Sequence, residues 1–469
     1  MNIIKSLKHL VPSHNEGNLF LSKLKSGGVV IKKLFVSVTA FFLCLISVAQ
    51  TQWTLEECIT YGLENSFRVK EAILNLEARK INLNSTSKSI LPSVNAHLGQ
   101  NFDFGRTTSR DNVIVDISQS TTSFDIRAQM PLFEGLRVYH QKAADELNLQ
   151  AALYDLEQAK ENISINITGY FLQVILTNEM YELAKEQQNI SEEHVRKVQI
   201  LVDGGKTSDS DLYSAKATLA SDMVNVTKTG NSYIIAKLDL AQLMNFTDVA
   251  SFDVMLPTEN EIENLIASRL DLMSSLETGL NYRPGIKAAE TRIEKGEKDI
   301  LVNKSGYYPS LILGASYGTG YYHTLSDLEG YENAPFGRQL NQNSRELIYL
   351  SLTIPIFNRM RISDNVKLAT VQLSHNKMLL DETKLNFIKE IQQAYYNAVA
   401  SKESHLAAKQ AVTATNIAYQ YEEIKYFNGA SNMYEYNEAR LRHQRALSEE
   451  IQAKYDYIFR LKILEFYSK

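Results

Sequence analysis

The chain has 469 residues, 44% of them hydrophobic and 22% charged, an ordinary globular composition that excludes a disordered, collagen-like or polytopic helical membrane protein. Lys and Arg total 49 against 54 Asp and Glu, and without the first 49 residues the balance is 43 against 53, too acidic and too poor in Arg/Lys tracts for a nucleic-acid partner. Two cysteines, Cys44 and Cys58, are too few for a disulfide framework or a cysteine-based zinc site.

The first predicted element is the 16-residue apolar run Leu34–Ala49, preceded by Lys32-Lys33 and closed by Ser47-Val48-Ala49. A basic flank, an apolar core and a small-residue exit describe a secretory signal, so residues 1–49 are expected to be an N-terminal extension and signal peptide, with Gln50 first after cleavage. Residues 1–28 are unusual ahead of a signal, and translation is expected to start near Val29 or Val30. Cys44 stands behind Phe42-Leu43 rather than a small residue, which argues against lipidation. Removal of Cys44 would leave Cys58 as the single thiol in an oxidising compartment. No later stretch is long and apolar enough to span a bilayer as a helix, so a membrane role would need strands.

From there the chain reads as a tandem duplication. "SFRVKEA" at Ser66 recurs as "RPGIKAA" at Arg283, and "LPSV" around Pro92 recurs as "YPSL" around Pro309, both at an offset of 217. "MPLFEGLR" around Pro131 matches "IPIFNRMR" around Pro355, and Gly205 matches Gly429, both at an offset of 224. The length difference therefore falls between the paired prolines, in a loop. The expected parts are a first repeat over 50–244, a connector over 245–275 and a second repeat over 276–469.

Each repeat opens with a helix, about Leu55–Ser89 and about Leu276–Lys304. The periodicity then switches to alternation, giving hairpins over 93–130 and 310–354. Val94, Ala96, Leu98, Phe102, Phe124, Ile126, Ala128 and Met130 alternate with polar Asn95, Asp103, Asp125, Arg127 and their neighbours. In the second copy Ile348, Leu350, Leu352 and Ile354 alternate with Tyr349, Ser351 and Thr353. Strands of about ten residues with one apolar and one polar face fit a tilted crossing of a bilayer. A soluble half-buried sheet has the same pattern, but it needs a second apolar layer, and everything outside the hairpins reads as helix. Asn95, Asp103, Asp125, Arg127 and Ser351 are then the expected lumen residues, and Tyr317, Tyr321, Tyr322 and Tyr349 fit an interfacial belt.

Beyond Pro131 a run to about Val202 contains no proline and repeats its apolar residues at spacings of three and four. Roughly 68 residues at about 1.5 Å each make a rod near 100 Å. A second helix returns over about Ser210–Met244, and the pair recurs over about Arg359–Tyr426 and Met433–Leu464. The tip turns are 203–208 and 427–432, where Gly204-Gly205 and Asn428-Gly429 stop the descending helices. Pro92, Pro131, Pro309 and Pro355 mark the junctions between helices and strands. Four strands per chain are too few to close a membrane barrel, whose minimum is about eight, so copies must combine, eight strands from a dimer or twelve from a trimer.

The signal segment, the duplication, the paired prolines and the "G-x-x-x-x-x-D/E-x-x-x-A" turns together resemble the TolC family of outer-membrane efflux proteins over the whole mature chain. The resemblance implies an α+β membrane protein in which four strands per chain contribute to a trimeric twelve-stranded outer-membrane β-barrel, continued by a long periplasmic α-helical coiled-coil tunnel. It implies a homotrimer in outer-membrane lipid, a periplasmic adaptor protein and an inner-membrane transporter as partners, no catalytic residues and no cofactor. The adaptor is expected to meet the tips at Gly204, Gly205, Lys206, Thr207, Asn428, Gly429, Ala430 and Ser431. Glu435 and Glu438 match acidic rings that seal the tunnel, and Tyr426 matches a latch tyrosine. A basic latch residue of the family would fall at Ser431, a departure from the pattern.

Other signals carry less. "GGKT" at Gly204–Thr207 lacks the leading glycine of a phosphate-binding loop, since position 200 is Ile200, and no strand precedes it. His97, His194, His323 and His405 stand singly, with no partner at metal-ligand or nucleophile-base spacing. A passive export channel is therefore expected, and the alternative is a soluble periplasmic coiled-coil scaffold or adaptor without a pore.

Overall fold

The computed structural model describes residues 52–108, 112–116, 118–249, 251–256, 272–325 and 332–468. The expected signal segment, with Cys44 and the cleavage point, lies outside the described residues, as does most of the connector. A small unit of residues 52–53 and 248–253 carries β1 (Gln52–Trp53) and the start of β6 (Asp253–Val254), and its Trp53 and Phe252 rings lie 6.0 Å apart.

The large unit holds both repeats. The first repeat begins with α1 (Leu55–Asn65) and α2 (Phe67–Lys88), then β2 (Ser93–Asp103), the short β3 (Arg106–Thr108) and β4 (Ile114–Asp116), and β5 (Gln119–Glu134). α3 (Arg137–Asp203) descends and α4 (Asp209–Leu243) returns. The second repeat has α5 (Leu272–Tyr282), α6 (Pro284–Lys304), β7 (Ser310–Thr324), α7 (Phe336–Gln342), β8 (Arg345–Thr353), then α8 (Arg361–Phe427) and α9 (Met433–Ser468). α3 and α8 are each 67 residues long, so each rod is about 100 Å. Among the described residues no helix is long and apolar enough to cross a membrane.

The duplication holds down to backbone angles. The single helix expected before each hairpin is instead broken in two, at Ser66 (φ −59°, ψ 132°) and at the matching Arg283 (φ −60°, ψ 128°). Pro284 explains the second break, since it cannot donate into a continuing helix but suits a first helical position. Helical apolar spacing resumes across both breaks, which is why periodicity alone joins the pieces. The break also lets the returning helices meet the upper ones end to end: Asn245 Nδ2 donates to the Asn65 carbonyl at 2.8 Å, and the Tyr467 ring lies 4.9 Å from the Arg283 guanidinium.

Mid-helix Gly169 has a packing reason, because a Cβ there would stand 3.1 Å from the Phe459 ring of α9. α3 buries Ile163, Ile167, Phe171, Val174 and Ile175 on a stripe at helical spacing. Cys58 is fully buried, and burial together with the Glu57 charge pushes its thiol up to about 12, so it stays protonated and unreactive.

The four long strands form one antiparallel sheet in the order β2-β5-β7-β8, and β1 with β6 and β3 with β4 make two short separate pairs. β5 does not stop at Pro131 as expected but runs to Glu134 through a register shift between Pro131 and Phe133. β2 pairs with β5 only as far as Ser93 opposite Gln129, so Pro131 lies where β5 has a neighbour on one side alone, and its missing N–H costs no ladder bond there. The second hairpin likewise carries an unforeseen helix, α7, in its connection.

Candidate functional site

Two regions carry the functional reading, the sheet and the helical tips. In the sheet the register places Asn95 beside Arg127, Asp125 beside His97, Asp103 beside Gln119 and Ser351 beside Ile312, all on one face. All five expected lumen residues are thereby brought to the same side of the wall. Arg127 Nε lies 2.9 Å from Asp125 Oδ2 along that face. Tyr349 is also there, lying across Gly314 and accepting from Gln129 Nε2 at 2.8 Å. It and Tyr322 therefore leave the expected interfacial belt, because strand parity puts only Tyr317 and Tyr321 on the other face.

That other face carries most of the apolar residues and is largely uncovered: the Phe336 ring of α7 lies near Phe124 and Tyr321 at one end, and Glu346, opposite Tyr317, is its acidic exception. Val94, Ala128, Ala315 and Ile348 form one row across all four strands. Ile348 is 79% exposed, Leu350 62% and Leu98 65%, with none of the described elements packed over them. Among the described residues both edge strands, β2 and β8, also lack an outer partner.

At the tips the two turns superimpose in chemistry. Gly205 (φ 69°) and Gly429 (φ 73°) adopt the left-handed conformation that ends a helix. The Lys206 amide donates to the Leu201 carbonyl and the Ala430 amide to the Lys425 carbonyl, each at 2.8 Å, closing matching C-terminal caps. Ser208 caps α4 in a capping box with Asp211. Asn432 Oδ1 accepts from the Glu435 amide at 3.0 Å, so Glu435 is the third residue of α9 and the repeat counterpart of Asp211. Ser431 Oγ donates to Glu435 at 2.7 Å and also contacts Glu422 of α8. Ser431 thus sets a hydroxyl between two carboxylates. Glu438 is half-exposed and ion-paired with Arg442.

Tyr426 is buried against Val198, Leu212, Ala215, Met433 and Tyr436, residues drawn from both repeats. Its ring stacks on Tyr436 at 5.1 Å, and Tyr436 stacks on His194 at 4.7 Å. Burial raises the Tyr426 hydroxyl above its ordinary range, with the Asp211 charge adding to the effect. One turn further from the tip lies a group the sequence reading missed. Arg440 is 4% exposed, its Nη1 donates to Ser191 Oγ at 2.5 Å and stands 3.4 Å from Asp222 Oδ2, and the Ser191 hydroxyl also donates to Asp222. An ion pair between the buried Arg440 and the partly buried Asp222 therefore ties α9 of the second repeat to α3 and α4 of the first. His194 beside it is buried with neither ring nitrogen hydrogen-bonded, and burial, then the Arg440 and Lys197 charges, depress it to about 4. The signal for Arg440 was available: Met433, Tyr436 and Arg440 share one helical stripe, and the charge sits on its buried side. Among the described residues no group of three or more His, Cys, Asp or Glu is placed to hold a metal ion.

The family model described as outer membrane efflux protein matches residues 60–245 and 276–465, one segment for each repeat. The pyoverdine export outer membrane protein OpmQ of Pseudomonas putida is 20% identical over 81% of this chain and 78% of its own. The toxin and drug export protein A of Aggregatibacter actinomycetemcomitans is 17% identical over 86% of this chain and 83% of its own. The crystal structure of the Campylobacter jejuni CmeC outer membrane channel aligns with a TM-score of 0.71 at 18% identity, covering 88% of this chain and 85% of that one. The fold is thus that of the tandem-repeat channels with a strand barrel and a helical tunnel. With both repeats matched, the chain belongs to the outer membrane efflux protein family, as a channel of the outer membrane with a periplasmic extension.

Proposed function

We propose that three copies close one twelve-stranded barrel and that their helices form the tunnel of a tripartite export system. The tunnel would pass small molecules or polypeptides from an inner-membrane transporter, through a periplasmic adaptor protein docked at the tips, to the outside. The observation that carries this reading is the mostly apolar, largely uncovered sheet face between two edges that are unpaired among the described residues. A soluble scaffold would leave Ile348, Leu350 and Leu98 in water and the edge amides of β2 and β8 unpaired, whereas closure with two further copies in lipid satisfies both. The channel works passively, with no catalytic residue or cofactor in the scheme. Export of pyoverdine or of toxins and drugs, as the relatives' names describe, sets the cargo class to examine first.

The adaptor contact is assigned to Gly204, Gly205, Lys206 and Thr207 and to Asn428, Gly429, Ala430 and Ser431. Gly205 and Gly429 have no heavy atom within 4 Å of a built Cβ, so both turns are open to a partner. A photo-cross-linking residue at Lys206 or Ala430 should capture the adaptor in whole cells, while one at Tyr139 near the barrel should not. Equal capture at all three positions would refute the assignment.

Tyr426, Glu435 and Glu438 are assigned to the periplasmic gate. Three-fold symmetry makes three carboxylates of each glutamate, and a spacing of three puts both on one face of α9. A cation about 4 Å from three carboxylates gains roughly 3 kcal/mol even at the dielectric of water, before salt and Arg442 reduce it. Glu435→Gln with Glu438→Gln should therefore lower cation preference and weaken block by divalent cations in planar bilayers, and Glu192→Gln should not. Unchanged selectivity in the double variant would remove these residues from the gate.

A further inference from the structure

β8 pairs with β7 only as far as Arg345 opposite Gly318, yet β7 continues to Thr324 and stays paired with β5. The last six residues of β7 therefore have a strand on one side alone. An edge of this kind offers free N–H and C=O groups to any other strand. Side-chain amides from the connection to β8 occupy that edge. Gln339 Oε1 accepts from the Tyr322 amide and its Nε2 donates to the Tyr322 carbonyl, both at 2.9 Å. Asn333 makes the same pair of bonds at Thr324, at 2.8 and 3.0 Å, and Asn343 Nδ2 donates to the Gly320 carbonyl at 2.8 Å. The Gln339 and Asn333 carboxamides each supply one donor and one acceptor, as a strand's peptide group would, and Asn343 supplies a donor alone.

Packing shows to which side this clamp holds the segment. The Phe336 ring of α7 lies 6.5 Å from Phe124 and 5.1 Å from Tyr321, and Thr319 Oγ1 donates to the Leu340 carbonyl at 2.6 Å. Phe124, Thr319 and Tyr321 share the face of Ile126, the apolar one. The strap of residues 332–343 is therefore drawn over the outer side of the wall. A segment of this length can extend roughly 20 Å from its anchors, enough to reach over a lumen if released.

We propose that the Asn333, Gln339 and Asn343 clamp holds the strap on the lipid-facing side of the wall, off the pore axis, and so keeps the extracellular mouth open. This rests on the channel reading above. The test uses purified full-length protein in planar bilayers with three variants: Asn333→Ala/Gln339→Ala/Asn343→Ala, the same triple variant with residues 335–342 shortened to Gly-Gly, and Gln339→Ala alone. In the triple variant the Tyr322 and Thr324 amides should lose about tenfold or more of their hydrogen-exchange protection, as expected for a lost hydrogen bond. Brief closures should rise by a similar factor, and shortening the strap should restore a steady current. Gln339→Ala, which keeps two of the three amides, should show a smaller rise, and it carries the comparison alone if the triple variant does not assemble. Exposed amides with an unchanged current, or closures that persist after shortening, would overturn the proposal. A wild-type protein that carries no current would overturn the channel reading itself, and the proposal with it.

Discussion

Ile126→Arg or Leu350→Arg should reduce assembled, heat-modifiable trimer in the outer membrane to a small fraction of wild type, while Arg127→Ala and Ser351→Ala leave it nearly unchanged. Ile126 and Leu350 lie on the mostly apolar face, 50% and 62% exposed in the single chain. Arg127 and Ser351 are their sequence neighbours on the opposite face. An arginine on the lipid side of a barrel costs about 2 to 4 kcal/mol near the midplane, and a trimer pays it three times. A wet lumen position loses little when a polar side chain is trimmed. Gel mobility of unheated membrane extracts reads the outcome, and equal trimer yields from both pairs would mean that the two faces are assigned the wrong way round.

The second large effect is expected at the seam between the two repeats. Asp222→Ala leaves Arg440 buried without its carboxylate, and removing one partner of a buried pair costs about 3 kcal/mol or more. Asp222→Leu with Arg440→Met should recover much of the loss, since an apolar pair of similar volume needs no counter-charge. Hydrogen exchange over α9 residues 433–446 should speed up strongly in the single variant and much less in the double one. A leakier closed channel in the single variant should accompany it. His194 adds a pH dependence to the same region. Its ordinary value is 6.5 and burial holds it near 4 in the folded tip, so the unfolded segment accepts a proton that the folded one refuses. The stabilisation from neutral His194 is complete above pH 6.5 and is lost as pH falls toward 4, and His194→Phe should flatten that slope. A slope unchanged by His194→Phe would assign the acid sensitivity to other groups.

The duplication, the lengths of α3 and α8, the tip glycines and the two faces of the hairpins could all be read from residue patterns, because each rests on periodicity or on residues with special backbone freedom. What the patterns concealed has physical reasons. The breaks at Ser66 and Arg283 leave the helical phase intact, so spacing passes straight through them. Pro131 looks like a strand end but lies on a one-sided stretch where a missing N–H is harmless. Tyr349 reads as a belt tyrosine until strand parity sets it across Gly314 in the polar face. Glu435, expected as a free acidic ring, also serves as the third residue of a capped helix, which only its match with Asp211 reveals. Arg440 is one of many charges on α9, and only the burial of the stripe it shares with Met433 and Tyr436 sets it apart. The clamp of Asn333, Gln339 and Asn343 sits in a connection with no periodicity and depends on which strand ends first.

One chain is expected to provide a third of a membrane barrel. Native mass spectrometry of the protein extracted in detergent from the outer membrane tests it most directly. Particles of three chains that fall apart only on heating are the predicted result, and a species of one or two chains that persists at all concentrations would contradict it.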